Sequence, residues 1–315
     1  MKKTAKILSL ILILAVLTVM AAGCGSGSSG DVKTPSSVTS GGEAAPSGSS
    51  ASDSSSSAST SGTASAPQAT IEETVVLDRD GLKITAKSLA TDDIFGPGIK
   101  LLIENNSDKS VTVQARNASV NGYMVETMFS TDVAAGKKAN DTLTFMSEDI
   151  KTAGITTIAD MEFSFHVFDS TSWDTIFDSE PVRLETSAAE GYTYSFDDSG
   201  NKVYDENGIE IVVKGLSEDG SWLGPAVIVY VYNSSNRDFT VQARDVSING
   251  FMVDPIFSSD VVAGKHAVDT ITFMSSELEE NEIESIESIE LAFHVFSMDT
   301  WDTIVDTPTV TINFD

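Results

Sequence analysis

Basic residues and cysteine are what this chain has least of. Its 315 residues hold 19 Lys and Arg against 47 Asp and Glu, a formal net charge of −28. Phosphate binding needs clustered Lys and Arg, so the balance excludes a nucleic-acid footprint. It equally excludes electrostatic docking on an anionic membrane surface. A single cysteine allows neither an intrachain disulfide framework nor a Cys-rich metal site. The HExxH, P-loop and GxSxG strings are missing from 71–315, so the common catalytic motifs give no reason to expect an enzyme or a cofactor. Two stretches, Asp78-Arg79-Asp80-Gly81 and Asp205-Glu206-Asn207-Gly208, start like calcium loops. Both lack the Gly and Glu that an EF-hand loop needs at its sixth and twelfth positions, and they read as hairpin turns.

The one long apolar run lies at the start. Lys2, Lys3 and Lys6 precede uncharged residues 7–19, rich in Ile, Leu and Val, and Ala21-Ala22-Gly23 follow. Charged, apolar and small-residue regions in that order make an export signal, and the run is short of the ~20 residues of a spanning helix. The lone Cys24 stands directly behind the small residues. Residues 21–24 resemble the lipobox of bacterial lipoproteins, with Ala21 where Leu is commonest. The resemblance implies cleavage before Cys24 and a thioether-linked diacylglycerol on its sulfur. Two acyl chains suffice for stable anchoring, so the expected location is the extracytoplasmic face of the cell membrane. Residues 25–70 hold 17 Ser and 7 Gly and no Phe, Tyr, Trp, Ile or Leu. Such a composition cannot offset the entropy of ordering, so 24–70 reads as a lipidated cysteine followed by a disordered linker.

The remainder is one unit written twice. Val113-Gln114-Ala115-Arg116 recurs as Val241-Gln242-Ala243-Arg244, Phe165-His166-Val167 as Phe293-His294-Val295, and Trp173-Asp174-Thr175 as Trp301-Asp302-Thr303, all offset by 128. Between 111–147 and 239–275, 24 of 37 positions are identical without a gap. Solenoid repeats run about 20–50 residues, so each copy is a whole domain, 71–190 and 191–315. Apolar residues alternate along each copy. Met161, Phe163, Phe165 and Val167 share one face of a strand, and Glu162, Ser164 and His166 the other. Asn121-Gly122 and Asn249-Gly250 are two-residue hairpin signals. The spacing Ser276 to Glu279 suggests a capping box on a short helix. Several short strands with frequent turns predict an all-β fold of two tandem antiparallel sandwiches.

Three stretches carry a family resemblance: 81–87 (GLKITAK), 99–113 (IKLLIENNSDKSVTV) and Ala135-Gly136-Lys137-Lys138 with Leu143-Thr144-Phe145. They resemble the exported immunoglobulin-like domains of Gram-positive surface lipoproteins, most of unknown function. The resemblance covers about 75–315 and implies a sandwich fold and surface display, without catalytic or ligand residues.

Candidate binding residues come from the outward faces. Gln114 and Arg116, with Gln242 and Arg244, make polar rows that suit either a polar ligand or a solvated sheet. Trp173 and Trp301 stand just past the Phe-rich strands, where burial over the open end of the core is the expectation. An exposed platform for glycan or peptide is the alternative. Together these features suggest a non-catalytic module that binds an envelope protein or a cell-wall polymer. A structural spacer or assembly factor is the second reading, and a hydrolase the third. If Cys24 is the anchor, Cys24→Ser will leave the membrane fraction or accumulate unprocessed, and cell fractionation with mass measurement checks this.

Overall fold

The computed structural model describes residues 32–40, 69–90 and 94–314, all within one compact unit, Val32–Asp315. The signal segment, Cys24 and most of the linker lie outside the described residues. Among those described, no helix is long and apolar enough to cross a membrane.

Two short strands come first, β1 (Val32–Lys33) and β2 (Pro35–Ser40). The first copy contains β3 (Thr74–Arg79), β4 (Leu82–Ala90), β5 (Gly98–Asn105), β6 (Val111–Val120), β7 (Tyr123–Met124), β8 (Thr127–Met128), β9 (Ser130–Val133), β10 (Lys138–Phe145), helix α1 (Ser147–Thr152), β11 (Asp160–Asp169), β12 (Thr175–Asp178) and β13 (Val182–Glu185). The second contains β14 (Asn201–Glu206), β15 (Ile209–Ser221), β16 (Gly224–Asn233), β17 (Phe239–Ile248), β18 (Phe251–Met252), β19 (Ser258–Val261), β20 (His266–Thr272), helix α2 (Ser275–Glu280), β21 (Ser288–Ser297), β22 (Thr303–Asp306) and β23 (Val310–Phe314).

The all-β class read from the sequence is the fold observed. In the first copy the sheet β3-β4-β5-β10-β8 faces strands β6, β7, β9, β11, β12 and β13. In the second, β14-β15-β16-β20 faces the sheet β18-β17-β21-β23 with β19 and β22. Each pair of sheets closes on its own apolar core. One contains Ile84, Leu101, Phe145, Phe163 and Phe165, the other Ile211, Val229, Phe273, Leu291 and Phe293. The period-two alternation is thus the inside and outside of the sheets. Asn121-Gly122 and Asn249-Gly250 turn with φ of 51° and 84°, and 51° and 86°, both central residues left-handed as a type I′ turn requires. A buried asparagine locks each β5-type strand to the loop that follows. The Asn105 amide donates to the carbonyls of Lys109 and Val133 while its oxygen accepts from Ser107. Asn233 repeats this with Arg237, Val261 and Ser235.

Two expectations are corrected. Within the linker assigned to 24–70, residues 32–40 are paired strands. β1 runs antiparallel to β15 and β2 to β23, so sheet margins supply the partners that the linker's own composition lacks. The capping box is also not formed: Met274 is the N-cap of α2 and makes no side-chain cap. Instead Glu277 Oε1 accepts from the Asp254 amide at 3.0 Å, and Asp149 Oδ2 of α1 accepts from the Glu126 amide at 2.7 Å. Each helix's acid ties it to the preceding loop.

The two sandwiches meet along a seam. Tyr123 of β7 pairs in parallel with His266 of β20, and the His266 amide donates to the Gly122 carbonyl at 3.0 Å. The His266 ring lies between Phe196, with centroids 3.5 Å apart, and Tyr232, 4.2 Å away. Its Nδ1 is hydrogen-bonded to the Tyr230 hydroxyl at 2.6 Å. Lys265 reaches Glu162 of the first copy at 3.1 Å. Burial, helped by Lys265 and opposed by Asp198, pushes the imidazole down to about 4. Burial pushes the Asp149 carboxyl, near the seam, up to about 6; Asp269 and Glu148 add to the rise and the Glu126 amide opposes it.

These two groups bend stability in opposite directions. A lowered His266 withholds stability as pH falls from 6.5 toward 4, whereas a raised Asp149 costs stability as pH rises from 3.8 toward 6. Relative to the parent, Asp149→Asn will tilt the urea midpoint upward with rising pH across that window and His266→Gln will tilt it downward, as denaturation at pH 4.5, 5.5 and 7 will show.

Candidate functional site

The outer faces of the Phe-rich sheets carry the same constellation twice. In the first copy, register places Gln114 of β6 beside His166 of β11, and His166 beside Asp178 of β12. Gln114 Nε2 donates to Ser130 on β9 at 3.3 Å, and His166 Nδ1 lies 2.6 Å from Asp178 Oδ1. A polar row therefore crosses four strands. Arg116 lies at its flank, its Nη1 4.0 Å from the same Asp178 oxygen. The second copy repeats the row with Gln242, His294 and Asp306, the last two 2.5 Å apart. There Arg244 turns to Gln242 instead, at 3.2 Å.

Above the row stands an aromatic step. His166 packs on Phe168, and Phe168 stacks on Trp173 with centroids 5.6 Å apart. His294, Phe296 and Trp301 do the same, the last pair also at 5.6 Å. Phe168 and Phe296 are buried beneath their tryptophans, yet Trp173 is 70% exposed and Trp301 72%. The expectation that these rings lid the core is therefore overturned: Phe168 and Phe296 pack against His166 and His294 on the outward face and belong to neither apolar core, and each tryptophan lies over its phenylalanine as an outer layer.

The backbone explains why. Trp173 has φ of 64° and Trp301 of 63°, a left-handed conformation that is a genuine outlier for a bulky residue. The turn holds it there. The Trp173 amide donates to the Asp169 carbonyl at 2.9 Å, and the Asp169 amide to the Asp174 carbonyl at 3.0 Å. Asp169 Oδ1 accepts from the amides of Thr171 and Ser172, which holds its carboxyl below the usual range. In the second copy Ser297 replaces the aspartate, and its Oγ accepts from Asp299 and Thr300. Two different side chains thus enforce one strained turn. Beside the second turn, residues 236–238 with Ser297, Asp299, Thr300, Asp302, Thr303 and Ile304 line an open depression of about 410 Å³, to which Trp301 does not contribute.

All six residues proposed from sequence, Gln114, Arg116, Trp173, Gln242, Arg244 and Trp301, belong to these two faces. Sequence reasoning missed the His–Asp pairs and the buried phenylalanines. Their signal was available, since His166, Phe168 and Asp178 recur at 294, 296 and 306 with the same offset of 128. Among the described residues no group of three or more His, Cys, Asp or Glu is arranged to hold a metal ion.

No protein-family model and no curated protein matches the chain. Among solved structures it is similar to the YadV chaperone, at 11% identity and a TM-score of 0.23, over 67% of this chain and 91% of that one. Nothing here rests on a likeness that low.

A left-handed backbone costs a non-glycine residue roughly 1–2 kcal/mol, and aromatic stacking returns about 0.5–1.5 kcal/mol. Trp301→Gly should therefore stay within about 1 kcal/mol of the parent. Phe293→Ala in the core beneath should cost about 3–5 kcal/mol. Urea denaturation of both variants checks that the tryptophan is dispensable for the fold.

Proposed function

We propose that this chain is a bacterial surface lipoprotein, anchored through acylated Cys24, whose two immunoglobulin-like sandwiches form a non-catalytic binding module for a glycan-bearing wall polymer. One observation carries the reading. Both copies retain an exposed tryptophan in a costly backbone conformation, beside the same Gln, His–Asp and Arg groups. Local strain persists where surrounding structure enforces it, and such outliers cluster at functional sites. An exposed indole offers a flat apolar face, and the polar row offers donors and acceptors within reach. This is the composition of a site that takes a polymer with apolar ring faces and hydroxyl edges.

A second observation favours the assembly-factor reading. Tyr123 of the hairpin β7 is buried in the seam, but its counterpart Phe251 and the next residue Met252 are exposed in the second copy. With Ile256 they leave an apolar surface that another envelope protein could cover.

Two equivalent sites on one chain predict avidity. In co-sedimentation of the purified full chain with insoluble wall polymer, Trp173→Ala and Trp301→Ala should each weaken binding about tenfold, and the double variant about a hundredfold or more. Parental retention of the double variant would remove the tryptophan faces from the mechanism. Loss of binding on Phe251→Ser alone would favour the second reading.

A further inference from the structure

The two copies differ at one margin in a way that duplication does not explain. In the first, β13 pairs with β11 and reads Val182-Arg183-Leu184-Glu185, with Arg183 and Glu185 exposed and Arg183 paired with Asp160 of β11 at 2.8 Å. Beyond it Thr186 bonds Ala159 and Ser187 bonds Thr70. In the second, β23 reads Val310-Thr311-Ile312-Asn313-Phe314 and has no charge at all. An uncharged, apolar edge of this kind is an aggregation hazard unless covered. Here it is covered by the chain's own linker. Val38 pairs with Ile312 and packs on the core, and Asn313 donates to Ser37 Oγ at 2.9 Å. Two residues earlier the same segment crosses to the opposite sheet, where Val32 and Lys33 pair with Ser217 and Leu216 of β15. Residues 32–40 thus cap both sheets along one side of the second sandwich.

The second copy carries a seat for this segment. A Cβ on Gly215 would lie 2.6 Å from Val32 Cγ1 and 2.7 Å from the Lys33 carbonyl oxygen. Gly215 is not among the residues with positive φ, so close approach of another backbone accounts for it, not a turn. The corresponding residue of the first copy, in the shared context Lys-X-Leu, is Ser88. The connector that could have filled the seat is diverted. Phe196 stacks on His266, and Lys214 holds Asp197 through its carboxylate and carbonyl at 2.8 and 2.9 Å.

We infer that the β15–β23 side of the second sandwich is a strand-receiving site, and that residues 32–40 are its own removable ligand, a latch that fastens the linker to the C-terminal domain. The segment is extended, uncharged but for Lys33, and rich in Ser and Thr, with Pro35 at the first position of β2, where proline is tolerated. Among its described side chains Val38 packs on the core, and the register with β15 and β23 adds the segment to both sheets, as in β-strand addition. One consequence rests on the lipoprotein reading. Seven residues, 25–31, separate Cys24 from the latch, a reach of under about 30 Å. Latched, the C-terminal domain is tied to Cys24 by those seven residues alone. Released, the domains follow a linker of 46 residues, with a span of roughly 35–40 Å.

The test uses the full chain with Cys24→Ser, free of its own thiol, carrying Ser37→Cys and Asn313→Cys. Oxidation should close an intramolecular disulfide in most molecules, read by peptide mass mapping. Absence of the crosslink, or a disulfide-linked dimer in its place, would overturn the latch in cis. Adding Gly215→Ser should slow crosslinking at least tenfold and raise hydrogen exchange across 32–40. Val38→Asp, a change in the latch segment and not in the domain that receives it, should do the same, and it decides the matter if Gly215→Ser impairs folding. Unchanged crosslinking in Val38→Asp would overturn the inference. With Cys24 intact in vesicles, energy transfer from a label on the second sandwich to a membrane dye should fall in Val38→Asp. Unchanged transfer would refute the spacing consequence. Failure of the chain to reach the vesicles would count against the anchor alone, because the crosslink needs no membrane.

Discussion

Sheet margins govern this molecule. Unpaired strand edges invite association, and a sandwich of two open sheets has such an edge on every side. Four of these margins are dealt with in different ways here. The first sandwich blunts β13 with Arg183 and Glu185, held by the Arg183–Asp160 pair at 2.8 Å. The β20 edge is taken up by β7 of the other copy. The β15 and β23 edges are closed by nine residues that come from far upstream. The seam, the latch and the diverted connector answer one constraint at three places.

Duplication supplied identical frameworks, and the differences between the copies show where they are used differently. Offset by 128, His266 stands where the first copy has Lys138, Tyr230 where it has Leu102, and Tyr232 where it has Glu104. In the first copy Lys138 and Glu104 form an ion pair facing solvent. In the second the same three positions make the aromatic clamp of the seam. The tryptophan faces, by contrast, are alike in both copies although Asp169 and Ser297 build their turns with different side chains.

Much of this was legible in the sequence. The Asn-Gly turns and the alternation through Phe163 and Phe165 pointed to the all-β class, because backbone sterics and burial act locally. Three things were not legible. Residues 32–40 have no strand signature of their own, since their partners lie some 180 and 275 residues away at Ser217 and Ile312. The exposure of Trp173 depends on a positive φ that a sequence does not display, and on Phe168 lying beneath it on the outward face of the sheet. The role of His266 emerges only when the copies are compared position by position, where it replaces a lysine.

The seam joins two different patches, the Asn-Gly hairpin of one copy and the aromatic clamp of the other. Such a contact is head-to-tail and has a direction. The clamp exists only on the second copy, since the first presents Lys138 and Glu104 there, while a hairpin of the same type, with Phe251 at its tip, remains uncovered on the second. A string of these sandwiches is therefore capped at one end and open at the other. A third unit could be added by gene duplication only behind the second, and only if its own copies of positions 102, 104 and 138 had first become aromatic.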